Sequence, residues 1–478
     1  MKDASVIVKT SSGMIRGREG YRFLGIPYGR ADRFRPAQKA SWEGVLDAGQ
    51  YRSRSAQPNA LGKWPEGLPF SLVGGEDCLN LNVWTPTLSP EAKLPVLIYV
   101  HGGAFQVGGN DEPGRAGDRF MGDTPMVFVS VNYRLGALGG LYLADRLGPD
   151  YADSGNLAEL DVLLAVRWVK ENAAAFGGDG EKICLLGISA GAKCIGALMT
   201  LPEADGLFSR VVLESGAQQA FRDTRTASQV TERFLRTARV REAGELLTMD
   251  LETLIRAQAE FCDCEGSTAF FGPVLDDRTF SEDWRARWEA GRCWKGEALV
   301  GSGHCEMVLL TESEVFEKEK DRILSQLFGD RAAEVREICA AAGVDWTRGL
   351  SDAMYRSPSD TMAKTLALGG DRVWVYSFDY PPAHHGMGFH FLMRQQETAY
   401  CRVPEQERPG AAALAGAMNR AVRAFIAEGN PDPAGKLGWE PLSPRGEGEK
   451  LCFGKTVGKR GFSGDSLTFR GMYTLELG

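Results

Sequence analysis

Residues 182–191 read KICLLGISAG, and this stretch decides the fold. Its first part, as far as Gly187, is a mostly apolar run that predicts a buried strand, and small residues from Ala190 to Met199 predict a helix. Ser189 stands at the junction, at the centre of a Gly-x-Ser-x-Gly pattern. A serine on so sharp a strand-to-helix turn projects its hydroxyl above the carboxyl end of the strand, so the context predicts a nucleophile at Ser189.

Strand-like and helix-like segments alternate on both sides of this stretch. Apolar runs that predict further buried strands lie at 95–100, 126–131, 210–214, 298–301 and 372–378. Apolar residues at three- and four-residue spacing over 157–175 predict an amphipathic helix. The alternation predicts an α/β fold with a mostly parallel, doubly wound central sheet flanked by helices.

The domain organisation follows from the absence of a linker. The length would allow about three domains, but no linker-like stretch divides the 478 residues, so a single domain over 1–478 is expected. The part from about 217 to 295 is helix-prone and carries little strand signal, which predicts a helical insertion into that domain.

Composition excludes several classes of function. With 55 Lys+Arg against 63 Asp+Glu the formal net charge is -8, so neither nucleic acid nor an anionic membrane is an expected partner. No run of eighteen apolar residues occurs, and no membrane span is expected. The N-terminal residues lack the apolar stretch of a secretory signal, which favours a cytoplasmic location. The sequence carries no indication of an oligomeric state.

The ten cysteines are scattered through a chain large enough to fold without disulfides, so reduced thiols are expected. Cys262 and Cys264 are closer together than the Cys-x-x-Cys spacing of metal and redox sites, and no matching Cys/His pair follows them. No metal site is therefore expected.

A serine nucleophile needs backbone N–H donors aimed at the negative charge that develops on the substrate carbonyl oxygen. His101-Gly102-Gly103 directly follows the predicted strand 95–100, and glycines leave their N–H groups open to a substrate. Gly102 and Gly103, together with Ala190 directly after the nucleophile, are the predicted oxyanion-hole donors. We expect His101 to be structural and to hold this loop.

Segments along nearly the whole chain resemble the type-B carboxylesterases, the family of the bacterial para-nitrobenzyl esterases and the animal cholinesterases. The stretch EDCLNLNVWTP at 76–86 resembles the second signature of that family. Further similar segments follow the family order: FLGIPY at 23–28, NYRLG at 132–136, GN at 155–156, FGGD at 176–179 and ESG at 214–216. The resemblance covers about residues 5–470. It implies an α/β-hydrolase fold, helical insertions that form a lid or gorge region, and carboxylesterase activity.

The resemblance also implies an acid and a base that follow the serine in chain order. Glu306, just past the predicted strand 298–301, aligns with the family acid. The segment AHHGMGFHFLM at 383–393 aligns with the family segment that carries the base, which places the base at His385. His390 is the alternative base, and His384 is the third candidate.

Several residues match other family segments or depart from the pattern. Asp276 and Asp277 match a segment that precedes the acid, and we expect them to be structural. Ile188 and Gly388 stand where the family has glutamate, and Met307 replaces the glycine after the acid. These departures remove no reacting atom, but they leave the geometry around the base open.

These assignments predict a serine esterase that hydrolyses small-molecule carboxylic esters through an acyl-enzyme on Ser189 and needs no cofactor. Two alternatives stay open at this point. Cholinesterase-like adhesion molecules keep the fold but lose the serine and act only as binding surfaces, and the same triad could cleave amides or long-chain lipids. Retention of Ser189 with a candidate acid and base favours the esterase. Secreted relatives join the cysteine at position 78 to an upstream cysteine, but no cysteine precedes Cys78 here, which again favours the cytoplasm.

Overall fold

The computed structural model describes residues 5–18, 20–59, 70–112, 117–262 and 270–462. Cys264, one of the two closely spaced cysteines, lies outside these ranges. Within them, no helix is both long and apolar enough to cross a bilayer. No group of three or more His, Cys, Asp or Glu side chains is placed to hold a metal ion in the same ranges.

The strands are β1 Val6–Thr10, β2 Gly13–Gly17, β3 Arg22–Pro27, β4 Gly29–Arg30, β5 Gln38–Lys39, β6 Val45–Asp47, β7 Gln57–Pro58, β8 Leu72–Val73, β9 Asn80–Trp84, β10 Leu94–Val100, β11 Val127–Val131, β12 Gly178–Ile188, β13 Arg210–Glu214, β14 Arg222–Asp223, β15 Val274–Leu275, β16 Glu297–Gly303, β17 Arg372–Phe378, β18 Glu449–Phe453 and β19 Val457–Gly461. The helices are α1 Gly117–Met121, α2 Gly136–Gly140, α3 Ala144–Leu147, α4 Leu157–Asn172, α5 Ala190–Leu198, α6 Thr224–Thr237, α7 Leu251–Phe261, α8 Trp284–Glu289, α9 Val308–Thr311, α10 Glu314–Phe328, α11 Ala332–Ala342, α12 Trp346–Ser351, α13 Ser357–Leu368, α14 Met387–Leu392 and α15 Arg408–Glu428.

Ten strands form the central sheet, in the order β19-β18-β17-β16-β13-β12-β10-β11-β9-β3. The run from β18 to β11 is parallel throughout. In the described sheet, antiparallel pairing is confined to β19 at one end and to β9 and β3 at the other. The predicted mostly parallel sheet is therefore confirmed.

The direction of winding reverses at β10. This strand pairs with β11 on one side and with β12 on the other, so consecutive units of the chain add to opposite sides of it. In open α/β sheets, a crevice for ligands forms at the carboxyl ends of the strands where the order reverses. The loop after β10 and the turn after β12 meet at this crevice.

Helices cover both faces of the sheet, and the side chains of β10 show why. Alternate residues of a strand point to opposite faces. Val96, Ile98 and Val100 belong to the larger apolar core, which also contains α4 and α5 side chains. Leu97 and Tyr99 belong to a second core, shared with α14 and α15 side chains. Because both faces are buried, the strand reads as a continuous apolar run.

The segment from 217 to 295 leaves the sheet after β13 and returns as the neighbouring strand β16. It contains α6, α7, α8 and the short parallel pair β14–β15. The side chains of Asp223 and Asp250 cap α6 and α7, because each accepts a hydrogen bond from a backbone N–H in the first turn. α7 contacts β7 and β8, which precede the central strands in the chain, and it also contacts α2, which follows β11.

Candidate active site

Ser189 occupies the turn between β12 and α5 in an unusual backbone conformation. Its φ is 54° and its ψ is −118°, a region that residues with a side chain rarely adopt. Two backbone hydrogen bonds hold the turn: Ser189 N donates to Glu214 O at 2.9 Å, and Lys193 N donates to Ser189 O at 2.9 Å. The side chain of Ser189 is half-buried and faces the crevice.

Glycines on both sides of Ser189 are required by close backbone contacts. A Cβ at Gly191 would lie 2.2 Å from Val100 O, and a Cβ at Gly187 would lie 2.5 Å from Ala192 N. Neither neighbour is a flexible side chain that could move aside. The Gly-x-Ser-x-Gly pattern is thus explained by the packing of α5 against β10 and β12.

His385 and Glu306 approach Ser189 from two neighbouring strands. His385 follows β17, and its Nε2 lies 2.9 Å from Ser189 Oγ. Glu306 follows β16, and its Oε2 lies 2.6 Å from His385 Nδ1. With a proton on Nδ1, the imidazole donates to the carboxylate and Nε2 is left to accept the proton of the serine hydroxyl.

The Glu306 carboxylate is buried and is also bound from its other side. Oε1 accepts hydrogen bonds from Ser215 Oγ at 2.6 Å and from Gly303 N. His385 N in turn donates to the backbone oxygen of Glu306 at 3.0 Å. Sequence reasoning gave Ser215 no role. Its place directly after β13 could have indicated the contact. The carboxyl ends of neighbouring parallel strands lie side by side, and β16, which precedes Glu306, is the neighbour of β13.

The other two histidines of the 383–393 segment have different surroundings. His390 lies on α14, where its ring is 5.0 Å from the Tyr400 ring and its Nδ1 is 3.5 Å from Thr398 Oγ1. His384 is buried, and its Nε2 lies 2.9 Å from Tyr400 O. The hydrogen bond to Ser189 comes from His385.

The three predicted oxyanion donors lie around Ser189. Gly102 follows β10, and a Cβ on it would lie 3.3 Å from Ser189 Cβ. Gly103 has a φ of 114°, which favours glycine. Ala190 is the first residue of α5, where backbone N–H groups have no partner within the helix. Gly102 and Gly103 thus line the same cavity as Ser189, and Ala190 follows Ser189 directly in the chain.

His101 lies behind this loop and is nearly fully buried. Its Nδ1 donates to Gly102 O at 2.8 Å, and its ring stacks on Tyr133 with 4.5 Å between the centres. Tyr133 OH donates to His101 O at 2.7 Å. These contacts fix the backbone from which Gly102 and Gly103 project.

The structure explains the missing glutamate at position 388. A Cβ at Gly388 would lie 2.5 Å from Glu214 Oε1, so the Glu214 carboxyl occupies the space of a side chain there. Tyr376 OH donates to Glu214 Oε2, and Ser215 Oγ lies 3.4 Å from Oε1. Burial raises the pKa of Glu214 to about 8, so its neutral form is favoured at pH 7. The buried carboxyl beside Ser215 is therefore that of Glu214, at the end of β13, and not that of a side chain at position 388.

Asp276 and Asp277 lie in the loop after β15. Asp276 accepts hydrogen bonds from Asn156 Nδ2 at 2.9 Å and from Thr279 N at 2.7 Å. Asp277 accepts one from Glu282 N at 2.9 Å. These contacts tie the loop to the chain before α4 and involve no triad candidate.

A cavity of about 390 Å³ opens over Ser189. Its lining includes Gly102 and Gly103 on one side and His385 on the other. The described residues that complete the wall are Ala104, Val107, Gly108, Glu112, Ile188, Lys193, Tyr355, Gly386, Phe389, His390 and Tyr400. The site therefore combines a mostly apolar wall with a few polar groups near the nucleophile, as substrate pockets usually do.

A mostly parallel sheet flanked by helices, with a strained serine between a central strand and its helix, defines an α/β-hydrolase. The comparisons with known proteins agree with this class. Residues 4–333 match the model of the Carboxylesterase family. The chain therefore belongs to the carboxylesterase family, as its resemblance to the type-B carboxylesterases predicted.

Individual relatives support the same assignment over most of the chain. The para-nitrobenzyl esterase of Bacillus subtilis (strain 168) is 32% identical over 407 residues, which cover 81% of each chain. The phenmedipham hydrolase of Pseudarthrobacter oxydans is 31% identical over 89% of this chain and 90% of its own. The crystal structure of the Geobacillus stearothermophilus carboxylesterase EST55 superposes with a TM-score of 0.81 at 30% identity, covering 95% of this chain and 97% of that one. The protein is a carboxylic ester hydrolase of the serine type, which confirms the predicted fold and activity.

Proposed function

We propose that Ser189, His385 and Glu306 form the catalytic triad and that Gly102, Gly103 and Ala190 form the oxyanion hole. The observation that carries this proposal is the continuous hydrogen-bonded chain of 2.9 Å from Ser189 Oγ to His385 and 2.6 Å from His385 to Glu306. The first distance is typical of a hydrogen bond, and the second is slightly shorter than the usual range of about 2.7–3.2 Å for N–H···O.

The mechanism proposed for this geometry is acyl transfer. His385 Nε2 takes the proton of Ser189 Oγ as the oxygen attacks the ester carbonyl, and Glu306 stabilises the imidazolium that forms. The backbone N–H groups of the oxyanion hole bind the negative carbonyl oxygen. The imidazolium then protonates the leaving alcohol. A water molecule repeats the sequence on the acyl-enzyme and releases the carboxylic acid, so no cofactor is required.

Three variants test the assignment with para-nitrophenyl acetate as substrate. Ser189→Ala and His385→Ala are each expected to lower kcat by about a thousandfold or more, because loss of one triad member disables the unit. His390→Ala, in the same short segment, is the matched control and is expected to change kcat less than tenfold. Full activity of Ser189→Ala, or loss of activity in His390→Ala but not in His385→Ala, would contradict the assignment.

We also propose that the substrates are small-molecule esters rather than long-chain lipids. The cavity formed by the described residues is about 390 Å³, near the lower end of the roughly 300–1,000 Å³ typical of small-molecule pockets. A series of para-nitrophenyl esters from acetate to palmitate is expected to show kcat/KM highest for short acyl chains. Highest kcat/KM on palmitate would contradict this, and cleavage of the matching para-nitroanilides at comparable kcat/KM would favour an amidase.

We propose a cytoplasmic location for this protein. In support, Cys78 is fully buried in the larger apolar core and takes part in no disulfide. Thiol titration of freshly isolated protein in denaturant is expected to find all ten cysteines reduced. Recovery of the protein in an extracellular or periplasmic fraction would contradict the proposal.

A further inference from the structure

Tyr355 packs against the ring of the proposed base. The centres of the Tyr355 and His385 rings are 4.4 Å apart, and the two ring planes are tilted by 33°. Because the planes are closer to parallel than to perpendicular, Tyr355 turns a face of its ring, and not an edge, towards the imidazole. Tyr355 is 5% exposed and lines the same cavity as Ser189. The acyl-transfer steps make no use of this ring.

A single π turn, Asp352–Arg356, presents Tyr355 to His385. The turn lies between α12 and α13, and all five of its residues are buried. π turns within helices are rare and often lie at functional sites. In this chain, the π turn is the part of the helical segment that reaches the catalytic cavity through Tyr355.

Polar contacts hold the π turn in place at its beginning and its end. The Asp352 carboxylate accepts a hydrogen bond from Arg348 Nε at 2.6 Å, and it lies 3.1 Å from Arg356 Nη1. Met307 N, next to the proposed acid, donates to Ser351 Oγ at 3.1 Å. The turn is therefore tied to the loop that carries the acid, so the tyrosine ring has a fixed place against the base.

The charge on His385 changes while the reaction proceeds. Catalysis starts from the neutral imidazole, which becomes an imidazolium when its Nε2 takes the proton of Ser189 Oγ. The quadrupole of an aromatic ring attracts a cation that lies over its face within about 6 Å, and more strongly where water is excluded. An interaction that is stronger in the transition state than in the ground state accelerates the chemical step. The ring of Tyr355 is placed to supply such an interaction.

A second cation contacts the same ring, but its charge stays constant. Lys193 Nζ lies 5.3 Å from the centre of the Tyr355 ring. Burial lowers the pKa of Lys193 to about 8, so the ammonium form predominates at pH 7. Because this charge is present before and during the attack, its attraction to the ring changes the barrier little. The contact that changes during the reaction is the one with His385.

We propose that Tyr355 is a positioning residue that holds the imidazole of His385 towards Ser189 and stabilises the imidazolium through the face of its ring. The proposal rests on the triad proposed above.

Removal of the ring is the first test, with para-nitrophenyl acetate at pH 7. Tyr355→Leu keeps an apolar side chain without a ring, and kcat is expected to fall about 3- to 30-fold, as for a lost cation–π contact. Both acylation and deacylation form the imidazolium, so kcat/KM is expected to fall with kcat while KM changes less than about threefold. Tyr355→Phe keeps the ring and is expected to retain kcat within about twofold. Wild-type kcat in Tyr355→Leu overturns the proposal.

Fluorinated phenylalanines at position 355 separate the charge distribution of the ring from its shape. Each fluorine withdraws electron density from the ring face but changes the size of the ring little. Phenylalanine and its mono-, di- and trifluorinated forms are expected to lower kcat stepwise, by about tenfold in total. A flat series overturns the proposal even if Tyr355→Leu loses activity, because a purely structural role depends on shape alone.

The same series at Phe391 is the matched control. Phe391 is a buried ring on α14 that packs on Phe378 and Tyr380, and its fluorination is expected to leave kcat unchanged. An equal stepwise loss at Phe391 would mean a general effect of fluorinated residues and would overturn the proposal.

The triad and the role of Tyr355 fail in different ways. His385→Ala that keeps the wild-type kcat disproves the triad, and the role of Tyr355 with it. His385→Ala that abolishes hydrolysis, combined with a flat fluorinated series at position 355, disproves the role of Tyr355 alone.

Discussion

Replacement of Gly388 by alanine is expected to destabilise the protein through Glu214. The added Cβ would lie 2.5 Å from Glu214 Oε1 and 3.1 Å from Phe378 Cβ. The Glu214 carboxyl cannot move freely, because it is buried and accepts a hydrogen bond from Tyr376 OH. To make room for the methyl group, the protein has to displace this carboxyl or shift α14.

Two opposing contributions set the magnitude. An extra methyl group in a packed interior costs about 1–3 kcal/mol. Gly388 lies in α14 outside the left-handed region, and alanine favours a helix over glycine by about 1 kcal/mol. Gly388→Ala is therefore expected to lower the free energy of unfolding by about 0–2 kcal/mol. In a Glu214→Ala background the 2.5 Å contact is gone and the 3.1 Å contact with Phe378 Cβ remains, so the same substitution is expected to raise the free energy of unfolding by up to about 1 kcal/mol.

A double-mutant cycle measures this change of sign. Urea unfolding followed by tryptophan fluorescence is recorded for wild type, Gly388→Ala, Glu214→Ala and the double variant, and the coupling energy is expected to be about 1–3 kcal/mol. Gly410→Ala, in α15, is the control, because a Cβ at that glycine meets no atom within 4 Å. A clash with Glu214 is refuted if Gly388→Ala stabilises wild type as Gly410→Ala does. It is also refuted if Gly388→Ala has the same effect with and without the Glu214 side chain.

Two further outcomes are expected. Ser215→Ala should lower kcat/KM for para-nitrophenyl acetate about 10- to 100-fold, because loss of a hydrogen bond to the Glu306 carboxylate costs about 1.5–3 kcal/mol; unchanged kcat/KM would contradict this. Gly191→Ala should lower both activity and melting temperature, since its Cβ would lie 2.2 Å from Val100 O, and a variant with wild-type values in both assays would disprove it.

Local sequence was sufficient to predict the strand and helix on either side of Ser189, because both patterns are formed by residues that are close together in the chain. An apolar run predicts a buried parallel strand, and β13 and β17 have the predicted bounds, Arg210–Glu214 and Arg372–Phe378. β12 begins at Gly178, earlier than its apolar run, because its polar first residues continue the strand beyond the core. Of the two glycines that flank Ser189, Gly187 is required within the turn, where a Cβ would lie 2.5 Å from Ala192 N, whereas Gly191 is required by the neighbouring strand β10.

What the sequence could not reveal depends on contacts between distant strands. Ser215 gained its partner Glu306 only through the pairing of β13 with β16. Glu214 occupies the space beside Gly388 because the end of β13 lies against α14. No spacing along the chain predicts this contact. The position of Lys193 on the cavity wall likewise depends on how α5 packs against the sheet.

The three residues of the proposed triad follow three separate strands, and this has a consequence for the growing polypeptide. Ser189 and His385 are separated by 196 residues, and His385 and Glu306 by 79. During synthesis, the strand and helix that hold the serine leave the ribosome well before the acid and, later still, the base. With the triad as proposed, Ser189 lacks its general base until β17 has joined the sheet, so a chain released before that point is expected not to hydrolyse esters.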